Sequence, residues 1–280
     1  MNLTEEIEKN VRSALAEDMG SGDLTALLVE EGKNLHAKII CREDAVVCGT
    51  GWFDASFHQL STDVSIQWHV QDGDKVCSQQ VLCEVKGHAR DLLTAERTAL
   101  NFLQTLSAVA TKTRQYVDAV SATKANIVDT RKTLPGLRLA QKYAVKCGGG
   151  VNHRLGLYDG ILIKENHIIA AGGIEQALNK AKSIRPSTDI FIQIEVETLD
   201  ELRSALNAGA EMVLLDNFNL NQLREAIDLT KKLVGESTLL EASGNITLDN
   251  VKAVAETGVD RISVGSLTKD LKAIDLSMRF

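Results

Sequence analysis

Ile190-Phe191-Ile192-Gln193-Ile194-Glu195-Val196, followed after a helical pattern by Met212-Val213-Leu214-Leu215, reads as strand, helix, strand, and the repetition of this unit decides the fold. From Asn126 onward there are six such candidate strands, at 126–129, 159–163, 190–196, 212–215, 238–241 and 261–264, with helical patterns between them. Alternation with short connections implies parallel strands and right-handed crossovers, in an open doubly wound sheet or a barrel. No Gly-x-Gly-x-x-Gly follows the first strand, so the dinucleotide fingerprint of an open sheet is missing and a barrel is preferred. Six strands is fewer than the usual eight, and an incomplete α/β barrel is expected.

Working outward, the first half reads differently. After a helical start over 3–16, the segments 35–40, 45–48, 64–70 and 81–85 carry β-branched residues and partial alternation, separated by turns such as Asp72-Gly73-Asp74. Residues 90–120 then run without Gly or Pro, with Leu93, Leu100, Leu103 and Leu106 near helical spacing, and predict one long bridging helix. The expected organisation is an N-terminal α+β sandwich domain over 1–109, the barrel over 110–265, and a C-terminal segment, 266–280, returning to the first domain.

Composition excludes several classes. The chain has 280 residues, is 44% hydrophobic and carries a net charge of −7, so it can bury a core but does not favour an extended nucleic-acid surface. No apolar run approaches the roughly 20 residues of a membrane span, and the start lacks the order of a secretory signal, so a cytoplasmic enzyme is expected. Five cysteines without a Cys-x-x-Cys pair read as reduced thiols rather than a metal site.

In barrels the chemistry gathers at the carboxyl ends of the strands, and here every end is polar. The first ends in Asp129-Thr130-Arg131-Lys132, then come Lys164, Glu195, Asp216-Asn217, Glu241-Ala242-Ser243-Gly244 and Gly265-Ser266. Any one of these is explained by a strand reaching solvent, but the set is not. Lys164 and Glu195 adjoin apolar stretches where an unpaired charge is costly to desolvate. Between Arg131 and Lys164 stand seven Lys or Arg, with His153, against one acid, Asp159, so an acidic protein builds a basic pocket. Lys142 and Lys146, four apart, read as an ordinary solvated helix face. Gly148-Gly149-Gly150, just before His153-Arg154, is expected to bring backbone amides close to an anion. Ser243-Gly244-Asn245 and Val264-Gly265-Ser266 are the expected monophosphate loops. Glu195 and Asp216 suit ribose hydroxyls or hydrated Mg²⁺, with salt bridges to Lys164 as the alternative.

These residues resemble the quinolinate phosphoribosyltransferase family over nearly the whole chain. The likeness runs through Gly22-Asp23-Leu24-Thr25, Glu96-Arg97-Thr98-Ala99-Leu100-Asn101, Asp129-Thr130-Arg131-Lys132-Thr133, Asn152-His153-Arg154, Lys164-Glu165-Asn166-His167, Leu214-Leu215-Asp216-Asn217 and Glu241-Ala242-Ser243-Gly244. It implies a homodimer, with further assembly left open, in which the partner's N-terminal domain caps each barrel and Arg97 acts across the interface. It further implies that Arg97, Arg131, His153, Arg154 and Lys164 hold the two carboxylates of quinolinate, and that Lys132 lies near both quinolinate and pyrophosphate. Thr130 belongs to the same substrate set; Lys132, Glu195 and Asp216 are the implied catalytic group. Glu195 and Asp216 meet the ribose of phosphoribosyl pyrophosphate, and the Ser243 and Gly265 loops its 5-phosphate. Mg²⁺ is the implied cofactor, held mainly by pyrophosphate and water rather than by direct protein ligands. The chain departs from the family at Lys269, often His, and Asn245, often Gly. Three rivals are a relative acting on another ring acid, a Schiff-base aldolase using Lys164, and a non-catalytic phosphate-binding barrel.

Overall fold

The computed structural model describes residues 3–280, which divide into two compact units: one takes in the chain up to Arg114 with Thr133–Gly149 and Ser266–Phe280, the other Gln115–Lys132 and Gly150–Gly265. In chain order, the elements up to the barrel are α1 (Leu3–Met19), β1 (Asn34–Cys41), β2 (Ala45–Val46), α2 (Thr50–His58), β3 (Ser65–Trp68), β4 (Lys75–Val76), β5 (Gln80–His88) and α3 (Ala89–Val120). Next come β6 (Asn126–Val128), α4 (Arg138–Cys147), β7 (Gly160–Ile163), α5 (Glu165–Ala171), α6 (Ile174–Ile184), β8 (Phe191–Val196), α7 (Leu199–Asn207) and β9 (Met212–Asp216). The chain finishes with α8 (Leu220–Val234), β10 (Leu239–Ser243), α9 (Val251–Ala255), β11 (Arg261–Ser263), α10 (Ser266–Lys269) and β12 (Leu276–Arg279). Among the described residues no helix is long and apolar enough to cross a membrane.

The first unit holds an antiparallel sheet in the order β12-β1-β5-β3. Alternation along β1 and β5 turns Ala37, Ile39, Cys83 and Val85 inward, where Leu92, Ala95, Ala99 and Leu103 of α3 and Phe53 and Phe57 of α2 cover them. The other side of α3 presents Phe102, Leu106 and Val109 to a second cluster with Val11 and Leu15 of α1 and Ala140, Ala144 and Val145 of α4. Gly and Pro weaken or break a helix interior, and none occurs in the 32 residues of α3. β12 joins the sheet beside β1, so the C-terminus packs with the first unit.

The second unit is a six-stranded parallel sheet in the order β6-β11-β10-β9-β8-β7. Each strand from β7 to β11 pairs with the next in sequence, and β11 then pairs back to β6. This cyclic order makes the sheet barrel-like, with its seam between β6 and β7, where Val151 makes a single parallel bridge to Val128. The six candidate strands of the sequence correspond one to one with β6–β11. Helix starts follow local chemistry: Thr198 Oγ1 caps α7 by accepting from Glu201 N at 3.2 Å, and Asn219 and Gln222 form a capping box on α8. Because all the strands are parallel, their carboxyl ends share one rim.

Candidate active site

Side chains two apart along a barrel strand face the same way. Leu162 and Lys164 from the β7 side, Glu195 of β8, Leu214 of β9, Glu241 and Ser243 of β10, and Ser263 of β11 accordingly line one cavity at the carboxyl ends. Thr130, Arg131 and Lys132 after β6, with His153 and Arg154, complete it, and it encloses about 190 Å³. A larger groove, about 620 Å³, runs along Ile168, Glu175, Ser204 and Asn207 but has no cation in its lining. Of the two, only the smaller matches the rim expected from sequence.

The cationic side is anchored by one buried acid. Asp129, fully buried at the end of β6, accepts from Asn152 Nδ2 at 2.7 Å and from the His153 amide at 2.8 Å. That carboxylate ties the segment before β7 to the strand across the seam and brings His153 and Arg154 beside Arg131. Thr130 Oγ1 accepts from the Lys132 amide at 3.1 Å and shapes the next turn. His153 is buried, its ring edge-on to Phe191 at 5.2 Å between centroids. Its Nδ1 accepts the Arg154 amide at 2.7 Å, and Nε2 lies 2.7 Å from Gln193 Oε1. The Arg154 guanidinium contacts Gly160 O at 3.2 Å and is held below its ordinary pKa first by burial and then by the charge of Arg131. Two guanidiniums whose charges act on one another in a partly desolvated cavity make a site complementary to a planar anion.

Lys164 and Glu195 form a 2.6 Å ion pair, so the salt bridge left open as an alternative role exists. Asp216, half-buried at the end of β9, accepts from Asn217 Nδ2 at 2.8 Å. On the remaining side the backbone does the shaping. Asn217, Gly244 and Asn245 all have positive φ, and Asn245 Nδ2 reaches Asn217 Oδ1 at 3.5 Å. A Cβ on Gly244 would overlap Asn217 Oδ1, so glycine is required by both conformation and space. Gly265 approaches Lys132 closely enough that a Cβ there would sit 3.3 Å from Lys132 Cδ.

Some expected residues lie elsewhere. Arg97 is exposed on α3 in the first unit, and Ser266 opens α10 in that unit; neither lines the cavity. Val264 is buried and spends its amide on Val128 O at 2.9 Å, and Asn245 is exposed. Two readings need correction. The pair Lys142 and Lys146 is not a solvated face, because Lys142 is fully buried in α4 while Lys146 is exposed. Within the triple glycine, Gly148 serves packing: a Cβ there would come within 2.5 Å of Ala110 O and Thr113 Cβ on α3, and none of the three glycines lines the cavity. Conversely, Gln193 was not expected at the site, and Glu241, read as part of the rim, is fully buried with it as a polar floor. The available signal was a lone Gln between Ile192 and Ile194 and an acid directly after Leu239-Leu240. In the first unit, ligand atoms of Cys48, Asp72 and Cys147 lie within 4.8 Å of one another. There Asp72 Oδ1 accepts from the Gly49 and Thr50 amides and Oδ2 from Tyr143 Oη, which commits the carboxylate to the start of α2.

Comparison with known proteins places the chain in a family. The family model for the quinolinate phosphoribosyl transferase C-terminal domain matches residues 109–279, and that for the N-terminal domain matches 23–107. A probable carboxylating nicotinate-nucleotide pyrophosphorylase of Bacillus subtilis is 40% identical, with 98% of this chain and 93% of that protein aligned. A carboxylating nicotinate-nucleotide pyrophosphorylase of Mycobacterium leprae is 41% identical, over 96% of this chain and 95% of its own length. The solved structure of nicotinate-nucleotide pyrophosphorylase from Francisella tularensis superposes with a TM-score of 0.92 at 44% identity, covering 99% of this chain and 96% of that one. With both domain models matched end to end and relatives of this similarity, the chain belongs to the quinolinate phosphoribosyltransferase family.

Proposed function

We infer that this enzyme transfers the 5-phosphoribosyl group of phosphoribosyl pyrophosphate to the nitrogen of quinolinate, giving nicotinate mononucleotide, pyrophosphate and CO2 in the synthesis of NAD. The observation that carries the reading is the convergence of Arg131, Lys132, Arg154 and Lys164 with Glu195 on one cavity in a chain of this family. As pyrophosphate departs, C1 of the ribose gains positive charge and the pyridine nitrogen attacks it; positioning and electrostatics supply most of the catalysis. The guanidiniums of Arg131 and Arg154 match planar carboxylates bidentately and aim the ring nitrogen at C1. The quaternised ring then accepts the electron pair left when the adjacent carboxylate leaves as CO2, and the ring carbon takes a proton. No protein nucleophile is needed.

Ser243, Gly244, Asn245, Val264, Gly265 and Ser266 are the proposed phosphate loops, supported by the positive-φ backbone at Gly244 and Asn245. Glu195 and Asp216 are assigned to the ribose hydroxyls. Mg²⁺ is the proposed cofactor, and hard carboxylate oxygens are donors it accepts: Glu195 and Asp216 each keep one oxygen beyond that bonded to Lys164 or Asn217. Bound mainly through pyrophosphate and water, it would neutralise the leaving group. A homodimer with Arg97 supplied across the interface is also proposed, supported by an exposed arginine in the first unit within the Glu96–Asn101 motif. The five free thiols fit a reducing compartment, and the cytoplasm is the location proposed. For the aldolase alternative, a nucleophilic lysine needs apolar or cationic surroundings, whereas Lys164 faces Glu195 at 2.6 Å.

Incubation with quinolinate, phosphoribosyl pyrophosphate and Mg²⁺, with nicotinate as parallel substrate, tests the reading. Loss of quinolinate matched by nicotinate mononucleotide is expected, with nicotinate inert. If phosphoribosyl pyrophosphate binds but neither acid reacts, the ring substrate is a different one.

A further inference from the structure

At the cavity floor, His153 and Glu241 line the cavity and Gln193 lies buried beside them, a polar line to which the reaction steps above give no part. Gln193 shares the inward face of β8 with Glu195, and Glu241 that of β10 with Ser243. Gln193 and Glu241 are fully buried and His153 nearly so. Because His153 Nδ1 accepts the Arg154 amide at 2.7 Å, the proton of the neutral ring sits on Nε2, which donates to Gln193 Oε1 at 2.7 Å. That fixes the orientation of the Gln193 amide: turned over, it would set a donor against a donor. Its Nε2 is consequently left buried without a hydrogen-bond partner among the described residues. Glu241 Oε2 accepts from Arg261 Nε at 2.9 Å, while Oε1, also without a hydrogen-bond partner, stands 3.9 Å from His153 Nε2 and favours the proton there. Unmatched buried polar atoms are uncommon away from functional sites.

We propose that Gln193 is a positioning residue for recognition of the ring dicarboxylate. By accepting from Nε2 it fixes the tautomer and rotation of His153, and His153 in turn braces the Arg154 backbone, whose side chain lines the cavity with Arg131. Phe191 stops the ring from sliding sideways, so rotation is the freedom that Gln193 removes. This inference rests on the reading of the cavity as the ring-acid site.

The test is Gln193→Met, which keeps length and bulk but has no acceptor, beside Gln193→Glu, which restores one. Steady-state kinetics should show the Met variant with a quinolinate KM raised about tenfold, the factor that one lost buried hydrogen bond yields. Its kcat and its KM for phosphoribosyl pyrophosphate should stay within about twofold. The Glu variant should recover most of the loss. Nitrogen-15 NMR of histidine-labelled protein, with the His153 signals assigned through His153→Asn, should report the Nε2–H tautomer in the parent and a mixture in the Met variant. An unchanged quinolinate KM in a folded Met variant, or an equal rise in both KM values, overturns the proposal. If the Met variant does not fold, any tautomer other than Nε2–H in the parent overturns it and Nε2–H supports it. Failure of the parent to bind quinolinate would strike the proposed function instead, and the tautomer signals would still decide whether Gln193 governs His153.

Discussion

The two sides of the barrel mouth are built differently. At the seam between β6 and β7 the cavity is lined by charged side chains, Arg131, Lys132, Arg154 and Lys164, braced by the buried Asp129. At the ends of β9 and β10 the shaping comes from backbone, with Asn217, Gly244 and Asn245 in left-handed conformation. The cations gather where the sheet is unpaired. A continuous sheet would satisfy the chain there, but Val151 makes only one bridge, so a carboxylate must hold the loop and can hold its arginines with it. Guanidinium side chains distinguish a planar dicarboxylate by fork geometry, whereas a phosphate is gripped equally well by amides.

If both sides need completion from the partner's first unit, Arg97→Ala should give the largest loss, abolishing turnover while leaving the fold intact, because the side chain is exposed. Mixing folded Arg97→Ala with Lys132→Ala subunits should then restore activity, since one site of each mixed dimer carries neither change. Near-normal turnover of Arg97→Ala alone would remove the cross-subunit role. Arg131→Lys keeps the charge but loses the fork, and should lower kcat/KM for quinolinate about a hundredfold, roughly 3 kcal/mol, with little change in KM for phosphoribosyl pyrophosphate. An equal loss for both substrates would erase the division between the two sides. Glu195→Gln should cost about tenfold in kcat, the size of a weakened charge-assisted hydrogen bond. An unchanged kcat in that variant would leave Glu195 with only its Lys164 pair.

The barrel was legible because parallel strands buried on both faces appear as short apolar runs, and those of β6–β11 are unmistakable at that period. The rim was legible for the same reason, since each run ends in the residues that meet the cavity. What the sequence hid depends on neighbours distant along the chain. α2 is only nine residues long and is stabilised by the Asp72 cap 22 residues away, which no local pattern announces. β12 is four residues long and acquires strand character from pairing with β1. Lys142 looked solvated because a charge four residues from Lys146 usually is, yet it is fully buried. Gly148 looked like a ligand turn because glycine allows close approach to anything, and here the thing approached is α3.

The backbone-built side can be tested on its own with Gly244→Ala, the smallest effect on activity of the four. Alanine at φ 103° is strained, and its Cβ would press on Asn217, whose amide nitrogen also donates to Ser243 O at 2.8 Å. The strain should lower stability by about 2 kcal/mol, and Tm by about 4–8 °C for a chain of this length. Because the loop shifts rather than loses a charge, KM for phosphoribosyl pyrophosphate should rise only about threefold, a loss of under 1 kcal/mol, with quinolinate affinity unaltered. Calorimetry and steady-state kinetics read the two effects separately. A larger rise in the quinolinate KM than in that for phosphoribosyl pyrophosphate would mean that the β9–β10 tips support the ring acid, and that side chains and backbone do not divide the two substrates between them.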